Sequence, residues 1–114
     1  MTVEELSRAL SLETVVPGDG GREVTGGYCG DLLSWVMGRA PAGCVWLTVM
    51  GNVNAIAVAV LADVACILLT EASPLDEAAG EKARAQDVAV LRSPRPAYEL
   101  AVEIGRLLEK EGTP

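Results

Sequence analysis

The stretch Cys44-Val-Trp-Leu-Thr-Val-Met-Gly-Asn-Val-Asn-Ala-Ile-Ala-Val-Ala-Val-Leu-Ala-Asp-Val-Ala-Cys-Ile-Leu-Leu69 carries one charged side chain, Asp63, and its centre, Ala55 to Ala62, has no polar residue on any face. It is long enough to cross a bilayer, but Gly51, Asn52, Asn54 and Asp63 interrupt it. It reads instead as a strand over 44–49, a helix over 53–62 and a strand over 65–69. Strands that are apolar without alternation belong to a parallel sheet covered on both faces. The helix between them needs cover all round: one side on the sheet, the rest against a second sheet, a helix or a partner subunit. The segment therefore predicts both an α/β fold and an interface.

Working outward, the same unit recurs. The spacing predicts a helix over 76–86, a strand over 88–91 and a helix over 96–110, whose Leu100, Ile104, Leu107 and Leu108 recur on one face. Towards the N-terminus a helix is expected over 3–10, with Thr2 as cap and Glu5 at capping-box spacing. A strand over 12–16 follows, then turn chemistry in Pro17-Gly-Asp-Gly-Gly21 and an extended Glu23-Val24-Thr25 ending at Gly26-Gly27. Asp31 is read as the cap of a helix through Met37, closed by Gly38 and Pro41-Ala-Gly43. The expected fold is one α/β layered domain over 1–114, a mainly parallel sheet of four to five strands, with right-handed crossovers and helices on both faces. Residues 109–114 are expected to fray.

Composition excludes several function classes. With 114 residues the chain makes one compact domain able to bury a core without metals or disulfides. A net charge of −7 disfavours nucleic acid, whose affinity comes from Lys and Arg neutralising phosphates. No histidine is present, so the usual general base and commonest metal ligand are missing. Cys29, Cys44 and Cys66 are too widely spaced for a zinc or iron-sulfur site. Cys44 and Cys66, in apolar runs, read as inert buried thiols, and Cys29, between Tyr28 and Gly30, as the thiol most open to reaction. No signal peptide or membrane segment is read, so a cytoplasmic location without membrane partner is expected. No cofactor or metal is expected.

In open parallel sheets ligands bind at the carboxyl ends of strands, beside helix N-termini. Three turns emerge there: 48–54, 70–74 and 92–96. They offer Thr48, Gly51, Asn52, Asn54, Thr70, Glu71, Arg92 and Ser93 as candidate ligand-binding residues. The competing reading makes Asn52, Asn54, Ser73, Asp76 and Ser93 helix caps and turn residues, and Arg92 and Arg95 a solvated pair. Neither a P-loop nor a dinucleotide fingerprint is present, and no nucleophile-base pair is visible. A non-catalytic regulatory or scaffolding homodimer is favoured, binding a small metabolite or a partner protein, with Leu33, Val36, Ile56, Val58 and Val60 at its interface. The alternative is a small enzyme using Glu71 or Cys29.

The residues Asp31-Leu-Leu-Ser, Trp46 to Ala59, Ala65-Cys-Ile-Leu-Leu-Thr70 and Val88-Ala-Val-Leu91 resemble the DRTGG domain family, over roughly 24–108. Proteins of that family are stand-alone or joined, as non-catalytic domains, to phosphotransacetylases and CBS-domain proteins. Their fold is similar to the N-terminal domain of HPr kinase/phosphorylase. The resemblance implies a compact α/β domain that regulates or senses. The family's Asp-Arg pair falls on Asn52-Val53 and its Thr-Gly-Gly on Thr70-Glu71-Ala72, so Thr70 alone is retained.

Overall fold

The computed structural model describes residues 1–111. Its elements run α1 (Val3–Ala9), β1 (Glu13–Val16), β2 (Gly26–Cys29), α2 (Leu33–Arg39), β3 (Cys44–Thr48), α3 (Val53–Ala62), β4 (Cys66–Leu69), α4 (Glu77–Ala85), β5 (Val90–Arg92) and α5 (Ala97–Glu111). The strands form one sheet in the order β1-β5-β4-β3-β2. β2 to β5 are parallel in sequence order, and β1 joins the far edge antiparallel, pairing Glu13 with Arg92. The expected α/β class and mainly parallel sheet describe this architecture.

The order 2-3-4-5 with right-handed crossovers puts α2, α3 and α4 on one face. Val36, Ile56, Ala59, Ala79 and Ala83 pack there on Trp46, Ile67, Leu69 and Val90. α1 and α5 cover the other face, where Leu6, Leu100 and Ile104 meet Val45, Leu47, Leu68 and Leu91. β3 and β4 are buried at every position, because each of their faces carries a helix layer. Since the parallel order never reverses, the sheet contains no topological switch point.

Local signals account for most boundaries. Thr2 and Glu5 form the reciprocal capping box of α1. Asn52 Oδ1 accepts from the Ala55 amide at 2.9 Å and starts α3 where the sequence placed it. Four expectations need correction. Gly26-Gly27 does not break the chain but opens β2, an edge strand that faces α5. Asp31 is not a cap: α2 begins after Leu32 without a side-chain cap and continues through Gly38 to Arg39. Asp76 occupies the N-cap of α4 but makes no capping bond. α5 remains helical through Glu111, where fraying was expected from Glu109; residues 112–114, the rest of that expectation, lie outside the described residues.

The all-round cover that α3 requires comes mainly from within the fold. α2 and α4 flank it and the sheet lies beneath. Val36, Ile56 and Val58 are consequently core residues, at 0%, 0% and 7% exposure, which removes them from the expected subunit interface. Leu33 is half-buried and Val60 exposed. What stays uncovered is Val53, Val60 and Leu61 on α3 and Leu32, Trp35 and Met37 around α2. Arg39 stacks on Trp35 at 3.8 Å.

Titratable groups define the pH range of the fold. Glu5 is held below its ordinary 4.5 by hydrogen bonds from Thr2, Glu13 below 4.5 by Arg92, and Asp63 below 3.8 by Arg22. Depressed carboxyls stabilise the folded state above their unfolded values, and that contribution disappears as pH falls through the folded ones. Burial pushes the Cys44 thiol up to about 11 and the Cys66 thiol up to about 12. Raised thiols act in the opposite direction: their contribution is complete below the ordinary 9.0 and is lost as pH rises through the folded values. The thermal midpoint should therefore be flat from about pH 5 to pH 9 and fall on both sides. Cys66→Ala should flatten the alkaline flank and leave the acid flank in place. An alkaline flank unchanged in Cys66→Ala would contradict the thiol assignment.

Candidate functional site

The parallel strands end on one edge, and their turns are tied into a single ledge. The Asp76 amide donates to the Gly51 carbonyl at 2.8 Å, the Thr70 amide to the Thr48 carbonyl at 3.1 Å, the Glu71 amide to the Arg95 carbonyl at 3.0 Å and the Ala72 amide to the Ser93 carbonyl at 2.9 Å. Ser93, 3% exposed, uses its Oγ to accept from the Arg95 amide at 3.2 Å. Between this ledge, the end of β2 and the start of α5 lies a cleft of about 240 Å³ lined by Cys29, Gly30, Asp31, Leu47, Thr48, Val49, Thr70, Glu71 and Ala97.

Asp31 organises one wall. Its Oδ1 accepts from the Thr48 hydroxyl at 2.7 Å and the Val49 amide at 3.0 Å, while Thr48 Oγ1 accepts from the Met50 amide at 3.2 Å. The Trp46 indole donates to the Gly30 carbonyl at 2.8 Å and fixes the residue before it. Thr70 is 2% exposed and lines the cleft, where its hydroxyl stays open to solvent and is not a buried unpaired group.

The turn after β4 is strained. Glu71 and Ala72 have φ of +54° and +56°, the left-handed region that costs an L-residue about 1–2 kcal/mol. These are the two positions that the DRTGG resemblance aligns with Gly-Gly. The backbone has the conformation that glycines would adopt freely, held by the bonds to Arg95 and Ser93. Ala72→Gly should therefore raise unfolding stability by about 0.5–1 kcal/mol, the strain released less the added freedom of the unfolded chain. Ala72→Val should lower it by at least about 1 kcal/mol, because branched side chains suit this region least. Urea titration of the three proteins checks both signs.

Of the eight residues expected around a ligand, Thr48, Thr70 and Glu71 line the cleft. Ser93 lies behind it as a turn support. Gly51 and Asn52 belong to the adjoining ledge and cap, and Asn54 is exposed on the first turn of α3. Arg92 is drawn elsewhere: its guanidinium pairs with Glu13 at 2.9 and 3.1 Å and reaches the Ser73 carbonyl at 3.4 Å. Arg95 pairs with Glu99 at 3.2 Å and with Glu103. Asp31 was missed as a cleft residue; the signal was available, since Tyr28-Cys-Gly-Asp31 repeats the strand-then-turn pattern of the later units.

The two groups suggested for catalysis, Glu71 and Cys29, share the cleft. Burial, and then the Asp31 carboxylate, raise the Cys29 thiol above its ordinary value. That is the reverse of thiolate activation. Among the described residues no group of three or more Cys, Asp or Glu side chains is arranged to hold a metal ion, and no helix is long and apolar enough to cross a membrane.

No protein-family model and no curated protein matches this chain. Its fold matches that of the CBS and DRTGG domains of the regulatory region of Clostridium perfringens pyrophosphatase, solved with its activator diadenosine tetraphosphate, at a TM-score of 0.66 and 13% identity. The match covers 94% of this chain and 45% of that one. The likeness defines a fold class, an α/β domain shared with a regulatory region.

Proposed function

We propose that this chain is a non-catalytic regulatory module of the DRTGG type, which binds a small molecule in the strand-end cleft and pairs with a second copy through α2 and α3. The observation that carries the reading is the Thr70-Glu71-Ala72 turn. Thr70 opens its hydroxyl onto the cleft beside a backbone kept in a costly conformation at Glu71 and Ala72, and such strain concentrates where a ligand is clamped. A fold shared with a regulatory region supports the same reading. The raised Cys29 thiol weighs against nucleophilic catalysis. The exposure of Trp35 on α2 and of Val60 and Leu61 on α3 supports self-association through these helices.

One experiment with two readouts tests the module. In a thermal-shift screen of nucleotides and small metabolites, a true ligand should stabilise the wild type by about 2.7 kcal/mol at a hundred times its Kd. It should do so much less for Thr70→Val, which removes the hydroxyl. Mass in solution at tens of micromolar should report a dimer that Leu61→Glu dissociates. A wild-type monomer would remove the pairing, and a screen whose every hit ignores Thr70→Val would remove the cleft.

A further inference from the structure

We propose that the cleft takes a small organic cation bearing an apolar chain, with its ammonium end between Asp31 and Glu71 and its chain in a slot between β2 and α5. This rests on the ligand-binding reading above and adds the charge and shape of the ligand.

The first support is charge. Asp31 and Glu71 are the carboxylates of the lining, and no Lys or Arg contributes to it. The nearest guanidiniums are occupied, Arg92 by Glu13 and Arg95 by Glu99 and Glu103. The N-terminus of α5 at Ala97 brings a positive half-charge at most, which two carboxylates outweigh. Asp31 Oδ1 is spent on Thr48 and Val49, which leaves its second oxygen and the Glu71 carboxylate for a donor. Thr70 belongs to the same lining, and its solvent-accessible hydroxyl offers an acceptor to an ammonium hydrogen. An anion would meet the same groups as repulsion. The negative field is felt by Cys29, whose thiol Asp31 helps to raise.

The second support is shape. A slot of about 210 Å³, lined by Gly27, Leu47, Ala101, Ile104, Gly105 and Leu108, adjoins the cleft and shares Cys29 and Leu47 with it. Its walls are almost entirely apolar. Gly105 stands in the middle of α5, where a side chain would otherwise project, and a Cβ placed there meets no atom within 4 Å. Glycine weakens a helix interior relative to alanine; here it leaves the slot open. Cleft and slot together reach the size of small-ligand pockets, about 300–1,000 Å³. One end is acidic and the other greasy.

Cys29 supplies the readout, since it sits where the two spaces meet while Cys44 and Cys66 are buried. Its alkylation by N-ethylmaleimide, followed by mass spectrometry, should be slowed by hexylammonium as 1 + [L]/Kd, about tenfold at ten times Kd. Methylammonium and hexanoate should protect far less. Gly105→Met should fill the slot and abolish protection by hexylammonium while keeping a thermal midpoint at or above that of the wild type. Glu71→Gln should weaken protection without removing the dependence on chain length. Hexanoate protecting as well as hexylammonium, or protection surviving both substitutions, would overturn the proposal. A screening hit that shields Cys29 when hexylammonium does not would overturn the charge assignment alone, whereas a thiol that no compound shields would overturn the cleft reading as well.

Discussion

Gly51→Ala should lower the unfolding free energy by about 3–4 kcal/mol, combining the cost of forced overpacking with one lost backbone hydrogen bond. A Cβ at residue 51 would stand 2.0 Å from the Pro74 carbonyl oxygen and 3.0 Å from the Leu75 Cα. Both are backbone atoms, so no rotamer change relieves the collision. The turn would have to withdraw and break the 2.8 Å bond between the Asp76 amide and the Gly51 carbonyl, which holds the start of α4 against the end of β3. Against a total stability of about 5–15 kcal/mol, such a loss shifts most of the population towards unfolding at moderate denaturant. Gly18→Ala should be as harmful, since residue 18 has φ +49° and its Cβ would lie 2.3 Å from the Ala89 amide nitrogen. Gly38→Ala is the internal control. It lies in α2 with nothing within 4 Å of its Cβ, and should stabilise by about 0.5–1 kcal/mol. Urea midpoints for the three variants decide the matter, and a Gly51→Ala midpoint within error of the wild type would refute the close approach.

That contact also explains which parts of the molecule could be read from the sequence. α3 was legible to the residue because Asn52 and an unbroken run of Val, Ile and Ala act locally, and the parallel sheet followed from the apolar strands on either side. Long-range partners were not legible. Arg92 looked available to an anion because Glu13 is distant in sequence, and only the antiparallel edge of β1 on β5 brings them together. Asp31 looked like a cap because it precedes a helical pattern, yet the Thr48 hydroxyl and Val49 amide of a neighbouring strand end capture its carboxylate. Ile56 and Val58 were read as interface residues for a related reason: an apolar helix announces that it is covered and does not say by what. Ile56 and Val58 meet the fold's own helices and sheet, and the uncovered remainder lies at Val53, Val60 and Leu61. β2 was lost to its glycines, which read as punctuation.

Trp46 joins the core to the cleft, and its replacement should separate the two contributions. The side chain is fully buried in the middle of β3, packed beneath the α2–α4 layer, while its Nε1 donates to the Gly30 carbonyl at 2.8 Å. Trp46→Ala should cost about 3–5 kcal/mol, the range for emptying an aromatic site in a core that cannot collapse. Trp46→Phe restores most of the packing but strands the Gly30 carbonyl, a loss of about 1 kcal/mol on top of the smaller ring's cavity. With the anchor gone, the Gly30-Asp31 wall is held by the Gly30 amide on the Leu47 carbonyl and by Asp31 on Thr48 and Val49. Cys29 alkylation should then accelerate in Trp46→Phe although the fold survives. Emission should shift to the red as well, because the remaining Trp35 is half exposed. Equal loss of stability in both variants would place the energy in the hydrogen bond and not in packing. A Cys29 rate unchanged in Trp46→Phe would show that the indole anchors the core without shaping the cleft.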